Sequence, residues 1–173
     1  MPHVNIEVKA KCHRPEFIRQ YLQKNNAVFK GTDHQTDTYF NVSKGRLKLR
    51  EGNIENNLIY YERTDQPGSK ESNFQLVKVP DAERLKEVLS KSLGIKIIVE
   101  KKREIYFIGN VKFHIDEIAG LGNFAEIEAS DLYKDISKEE LQRQCEFYRQ
   151  EFEIKEEDLL SVSYSDMLIS SKK

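Results

Sequence analysis

The chain of 173 residues carries 28 lysines and arginines against 29 aspartates and glutamates, a net charge of only -1. That balance argues against a general nucleic-acid or membrane-surface binder, whose basic excess shows in the total, and no run of about 20 apolar residues offers a membrane span. With 38% hydrophobic and 33% charged residues, the length suits one domain over residues 1–173, with a core and much charge to place around or inside it.

The N-terminal residues enter a strand pattern directly, with no apolar leader. Cys12 and Cys145 stand far apart and in no metal-binding spacing, which reads as two thiols of a reducing compartment. A soluble, cytoplasmic protein is expected.

Residues 4–11, VNIEVKAK, alternate as a strand. Pro15 suits a first helical turn, and Phe17, Ile18, Tyr21 and Leu22 form one apolar face of a helix that ends near Asn25 and Asn26. Strands follow at 37–42, 45–51 and 57–64, then a turn-rich loop at 65–71 and a strand at 72–79. The loop reads as a plain connection or as a lid over an entrance. Asp81 is placed to cap a helix with Leu85, Val88, Leu89 and Leu93 inward, stopped by Gly94.

Two strands hinged at Gly109-Asn110 read as a hairpin, and Gly120-Leu121-Gly122 bends the chain into NFAEIEAS at 123–130. Ser137 and Glu140 form a capping box for a helix with Leu141, Cys145, Tyr148 and Phe152 on one side. A last helical pattern covers roughly 156–169. Some eight strands with few helices predict an α+β chain: an eight-stranded antiparallel closed β-barrel with helices packed on its outside.

Strand alternation fixes which side chains share a face. Glu7 and Lys9 lie together, as do Arg46, Lys48 and Arg50 with Leu47 and Leu49 opposite, and Arg63 joins Tyr61. Lys101 and Arg103 share a face; so do Lys112, His114 and Asp116, and so do Glu126 and Glu128. For any one of these strands a solvated face accounts for the charge. Taken together the charges are sorted, with bases on 46–50, 63 and 101–103 and acids on 116 and 126–128. Like charges directly opposite one another destabilise a sheet, so the sorting points to a ligand that carries both a polyanion and a metal.

Arginines grip phosphate oxygens bidentately, and lysines act as point charges, against the roughly four negative charges of a triphosphate. Carboxylates repel phosphate but hold Mg²⁺ or Mn²⁺, which bridges to it. Glu7, Asp116, Glu126 and Glu128 are therefore candidate hard-cation ligands beside a cationic cradle. Charge would then line the barrel, and Leu47, Leu49, Ile115 and Ile127 would face outward.

An ordered set of motifs runs from about residue 4 to 168: Asn5-Ile6-Glu7-Val8-Lys9, Asp37-Thr38-Tyr39-Phe40, the RLKLR strand, Tyr60-Tyr61-Glu62-Arg63, Lys101-x-Arg103, and His114-Ile115-Asp116 followed by GLGNFAEIE. This set resembles the CYTH superfamily, the triphosphate tunnel metalloenzymes, and most closely its class IV adenylyl cyclase-like branch. The resemblance implies an eight-stranded tunnel that binds triphosphate with a divalent metal. Members cyclise ATP, or hydrolyse thiamine triphosphate, tripolyphosphate or nucleoside triphosphates.

Carried over residue by residue, the resemblance makes Glu7, Glu126 and Glu128 metal ligands, joined by Asp116. It makes Arg46, Lys48, Arg50, Arg63, Lys101 and Arg103 phosphate-binding, and matches Lys9 and Tyr39 to a pair that activates water. The first acid of the E-x-E-x-K signature is Asn5 here, which offers a metal a carbonyl oxygen without charge, or serves as a hydrogen-bonding residue at the tunnel mouth. His114 reads either as a contact to phosphate or to the metal's surroundings, or as a hydrogen-bonded strand histidine.

Three functions compete: a cyclase making cyclic AMP and pyrophosphate from ATP, a triphosphatase, and a non-catalytic triphosphate sensor. A lipocalin-like barrel needs an apolar interior, against which Arg46, Lys48 and Arg50 speak. A monomer or homodimer is expected.

Overall fold

The computed structural model describes residues 3–63 and 68–171, and the side chain of Arg63 lies outside the described residues. The chain runs β1 (His3–Lys11), α1 (Pro15–Lys24), β2 (Val28–Phe40), β3 (Arg46–Glu51), β4 (Asn56–Arg63), β5 (Lys70–Lys78), α2 (Ala82–Leu93), β6 (Ile95–Ile108), β7 (Val111–Ile118), β8 (Gly122–Ser130), α3 (Lys138–Glu151), a 3₁₀ turn (Glu156–Asp158) and α4 (Tyr164–Ser171). The strands close into an antiparallel barrel in the order β1-β5-β4-β3-β2-β6-β7-β8, with β8 pairing back to β1. This is the expected α+β barrel. The loop expected at 65–71 falls partly on 64–67, which lie outside the described residues.

The strand expected at 37–42 begins at Val28, because β2 pairs with β6 along nearly its whole length. Its first half shows no apolar alternation: the inward positions Asp33, Gln35 and Asp37 are polar, as the barrel interior demands. A bulge between Phe29 and Gly31 re-aims the strand, with Gly31 at φ 117°.

The larger apolar core lies outside the barrel, while a second cluster, with Tyr39, Ile59, Tyr61 and Phe74, lies within it. Ile6 and Val8 of β1, Val111, Phe113 and Ile115 of β7, and Ala125, Ile127 and Ala129 of β8 pack against Ile18 and Leu22 of α1 and Leu141, Cys145 and Phe152 of α3. Each large side chain so buried contributes about 1.5–3 kcal/mol. The Ser137 side chain accepts from the Glu140 N–H and starts α3, but the Glu140 carboxylate turns to Arg143 and the box stays half made.

Asp81 caps α2 and Gly94 stops it as the sequence predicts, yet none of its residues is buried. Leu85 and Leu89 are half-buried, whereas Val88 is 61% exposed and Leu93 37%. The expectation that all four face inward is corrected: α2 rests on the outer rim of β2 and β3, where only part of an apolar stripe can be covered. Among the described residues no helix is long and apolar enough to cross a membrane.

The antiparallel order gathers the turns at 52–55 and 109–110, with the end of β8, at one mouth of the barrel. The turns at 41–45 and 119–121 lie at the other end, which α4 covers.

Candidate active site

The alternation that turns apolar residues outward turns charged ones inward. Glu7, Lys9, Lys48, Arg50, Lys101, Arg103, Lys112, Glu126 and Glu128 line a cavity of about 710 Å³ running through the barrel. At the first mouth its walls reach exposed Lys30, Ile54, Lys78, Pro80 and Tyr133. Towards the other end they are the buried rings of Tyr39, Tyr61 and Tyr164, with Phe124 stacked on Tyr164 at 5.1 Å between ring centres. The tunnel is open at one end and closed at the other.

Each deep cation is held by an acid. Asp37, wholly buried, accepts from Arg50 Nε (2.9 Å) and Nη2 (2.8 Å) and from Lys101 Nζ (2.5 Å), with Lys48 Nζ at 3.9 Å. Burial would raise this carboxyl, but Arg50, Lys101 and Lys48 hold it well below its usual range. Burial pushes the Lys101 ammonium down, opposed by Asp37 and reinforced by Arg103, Arg50 and Lys48.

On β7, two strands along from Asp37, Asp116 accepts from Arg103 Nε and Nη2, both at 2.8 Å, and from the Tyr164 hydroxyl at 2.9 Å. Such bidentate pairing fixes the guanidinium plane. Asp116, expected as a metal ligand, is thus engaged by Arg103 and stands apart from the other acids. Its carboxyl is held below the usual range, Arg103 outweighing burial.

The acids that converge are Glu126 and Glu128, joined by His114: a nitrogen or oxygen from each lies within 4.8 Å of the others. Glu128 stands opposite Glu7 across β1 and β8. Burial, with Glu126 and Glu7 near and Lys112 and Arg103 opposing, raises the Glu128 carboxyl to about 7. Burial would also raise Glu126, but Lys9 and His114 pull it well below its usual range. Burial and Arg103 push His114 down to about 4, so its imidazole is neutral with a lone pair to give.

His114 Nδ1 lies 3.5 Å from Glu126 Oε1, and among the described residues His114 Nε2 and Asn5 Oδ1 have no hydrogen-bond partner, whereas Asn5 Nδ2 donates to Glu128. Two carboxylates, an imidazole and an amide oxygen, crowded and short of donors, are a donor set that fits a divalent cation. His114 had been open between structural and functional readings; its position is beside these acids.

Arg46 is not on the tunnel wall. Its guanidinium donates to Ser163 Oγ (2.5 Å) and Asp166 (2.8 Å) at the start of α4, beside a second cavity of about 110 Å³. Lys9 Nζ lies 3.6 Å from Glu126 and 3.9 Å from the centre of the Tyr164 ring. Tyr39 receives a 3.5 Å contact from the Tyr61 hydroxyl, and Lys48 sits 5.6 Å from its ring centre. Lys9 and Tyr39 line the same cavity.

Sequence reasoning passed over Asp37, Glu55, Lys112 and Tyr164 as site residues. Asp37 stood inside a quoted motif, and Lys112 shared a face with His114, so both carried a signal. Tyr164 had none, because only the fold folds the C-terminal turn back into the barrel.

Three comparisons bear on this geometry. A protein of Methanocaldococcus jannaschii named “Putative adenylate cyclase” is 27% identical over 140 residues, 73% of this chain and 77% of that protein. The solved structure of a Pyrococcus horikoshii protein superposes with a TM-score of 0.80 at 26% identity, covering 94% of this chain and 98% of the other. A Hippeastrum adenylyl cyclase homologue, described as revealing a dominant triphosphatase activity, shares the fold with a TM-score of 0.65 at 13% identity, over 100% of this chain and 97% of its own. The CYTH domain family matches residues 3–164. By that match, over a barrel with this charged tunnel, the chain belongs to the CYTH family.

Proposed function

We propose that the chain is a divalent-metal-dependent enzyme that takes a triphosphate into its tunnel, with ATP cyclisation to cyclic AMP and pyrophosphate as its reaction. One observation carries the reading: buried cations braced by Asp37 and Asp116 share a tunnel, closed at one end, with the His114–Glu126–Glu128 cluster. Among the described residues Glu7, Asp37, Glu55, Asp116, Glu126 and Glu128 stand among Lys9, Lys48, Arg50, Lys70, Lys101, Arg103 and Lys112. An interior that mixes acids with bases in this way accepts a polyanion best when a cation accompanies it.

Lys48, Arg50, Lys101 and Arg103 grip the phosphates, and Asp37 and Asp116 hold those cations in place. Arg63 keeps its assignment as a phosphate ligand, and Arg46 serves by tying α4 over the closed end. Glu126, Glu128, His114 and Glu7, with the Asn5 amide oxygen, would hold Mg²⁺ or Mn²⁺. Bound there, the ion withdraws charge from the phosphate oxygens and stabilises the charge that builds on them in the transition state.

In cyclisation the ribose 3′-oxygen bonds to the α-phosphorus, the bond to the bridging oxygen breaks, and pyrophosphate leaves with that electron pair. Lys9 and Tyr39 orient the attacking hydroxyl, whose proton passes to solvent or to the pyrophosphate. The name of the M. jannaschii relative supports this reading.

A triphosphatase is the second reading, favoured by the activity described for the Hippeastrum protein. There water, held by Lys9 and Tyr39, attacks the terminal phosphorus in the same cradle, the bond to the bridging oxygen breaks, and the diphosphate leaves with that electron pair while the water's proton passes to solvent. Incubation of the purified protein with Mg²⁺ or Mn²⁺ and ATP or tripolyphosphate, resolved by anion exchange, separates them. Cyclic AMP with pyrophosphate is the expected product from ATP; orthophosphate with ADP from ATP, or with pyrophosphate from tripolyphosphate, and no cyclic nucleotide, assigns the triphosphatase. Tight binding with no product would leave a sensor.

A further inference from the structure

The turn between β3 and β4 sets a carboxylate among cations at the open mouth. Asp33, wholly buried on the inner face of β2, accepts the backbone N–H of Ile54 and of Glu55, each at 2.9 Å, and the Gln35 amide at 2.9 Å. A Cβ on Gly52 would stand 2.5 and 2.7 Å from the Asp33 carboxylate oxygens and 2.8 Å from the Glu55 carbonyl. The turn is therefore seated against Asp33 too closely for a side chain at position 52.

So held, the Glu55 carboxylate accepts from Lys112 Nζ at 2.5 Å, Gln35 Nε2 at 3.1 Å and Arg50 Nη1 at 3.4 Å. An ammonium, an amide and a guanidinium converging on one anionic group are the partners a phosphate takes. The contrast with the deeper acids is positional. Asp37 and Asp116 stand behind the cations they brace and do not line the cavity, whereas Glu55 does. Beyond it the lining mixes apolar Ile54, Leu76, Phe107 and Val79 with Lys30 and Lys78 at the rim.

We propose that Glu55 ends the anion-binding track, a specificity-determining residue that admits a triphosphate and rejects a longer phosphate chain. The inference rests on the triphosphate reading of the tunnel. The closed end at Tyr164 forbids a chain from sliding deeper, so a fourth phosphate has to lie against Glu55. Like charges there, drawn onto cations already neutralised, oppose it.

The test is titration calorimetry of the full chain, with Mg²⁺ present, against tripolyphosphate and tetrapolyphosphate. In wild type the triphosphate should bind more tightly. Glu55→Gln should raise tetrapolyphosphate affinity at least about tenfold relative to tripolyphosphate, and Glu55→Asp, with the carboxylate drawn back by one methylene, should shift the ratio the same way by less. An equal change for both anions, or none, overturns the assignment of Glu55 while leaving the tunnel reading intact. Failure of wild type to bind tripolyphosphate overturns the tunnel reading itself.

Discussion

Arg103 and Asp116 stand directly opposite each other on β6 and β7 and join through two hydrogen bonds of 2.8 Å. Removing one member of a buried charge pair leaves the other uncompensated, a loss of about 3–5 kcal/mol. Asp116→Ala should lower the unfolding free energy read from urea melts by that much and weaken tripolyphosphate binding at least about tenfold, because the guanidinium loses its orientation. Arg103→Lys, which keeps charge but not the fork, should weaken binding with a smaller stability loss. Wild-type affinity in Asp116→Ala would show that Arg103 holds no phosphate.

Asp37 makes a prediction in pH. Its folded-state carboxyl is held well below the ordinary 3.8, so its pairing stabilises the fold fully above that ordinary value. The contribution is lost as pH falls through the lower, folded value. Asp37→Asn, which strands Arg50 and Lys101, should be destabilised by about 3–5 kcal/mol at neutral pH. The gap to wild type should narrow only in strong acid, below the ordinary carboxyl range. Urea melts across pH 2–7, taken with about unit spacing, would read it; a gap that closed near neutrality would sink the assignment.

Divalent metal should bind to the folded chain and raise its melting temperature. At a free Mn²⁺ concentration about a hundredfold above Kd, the gain is about 2.7 kcal/mol. The joint replacement Glu126→Gln and Glu128→Gln should abolish the shift, and His114→Ala should reduce it, with no substrate added. An unchanged shift in the double variant would place the ion elsewhere.

Much of the barrel was legible in sequence because period-two alternation survives wherever one face is apolar, as in Ile6-Glu7-Val8-Lys9 and Ala125-Glu126-Ile127-Glu128. It failed on the first half of β2, where the outward face is polar as well, and Asp33 and Gln35 fall in no predicted element. The inward sorting of Lys101, Arg103 and Glu126 followed from the same alternation. What spacing cannot give is the partner across a closed barrel: that Arg103 belongs to Asp116, and Arg50 to Asp37, is set by strand register. For α2 an apolar stripe existed in the sequence, but nothing local says whether a surface lies beneath it.

The C-terminal turn offers the sharpest contrast between two contacts that close the tunnel. Tyr164 is buried and donates to Asp116 at 2.9 Å, while the Arg46–Asp166 pair, at 2.8 Å, is partly exposed. Hydrogen bonds to charged groups contribute about 1.5–3 kcal/mol when buried, but solvent-screened ion pairs about 1 kcal/mol or less. Tyr164→Phe should therefore cost more stability than Asp166→Asn, although the second removes a formal charge. Tyr164→Phe should also loosen Arg103 through Asp116 and so weaken tripolyphosphate binding, which Asp166→Asn leaves nearly unchanged. Denaturation and calorimetry on both variants decide the matter. The reverse order would mean that Arg46 holds the turn in place and the Tyr164 hydroxyl only fills space beside Asp116.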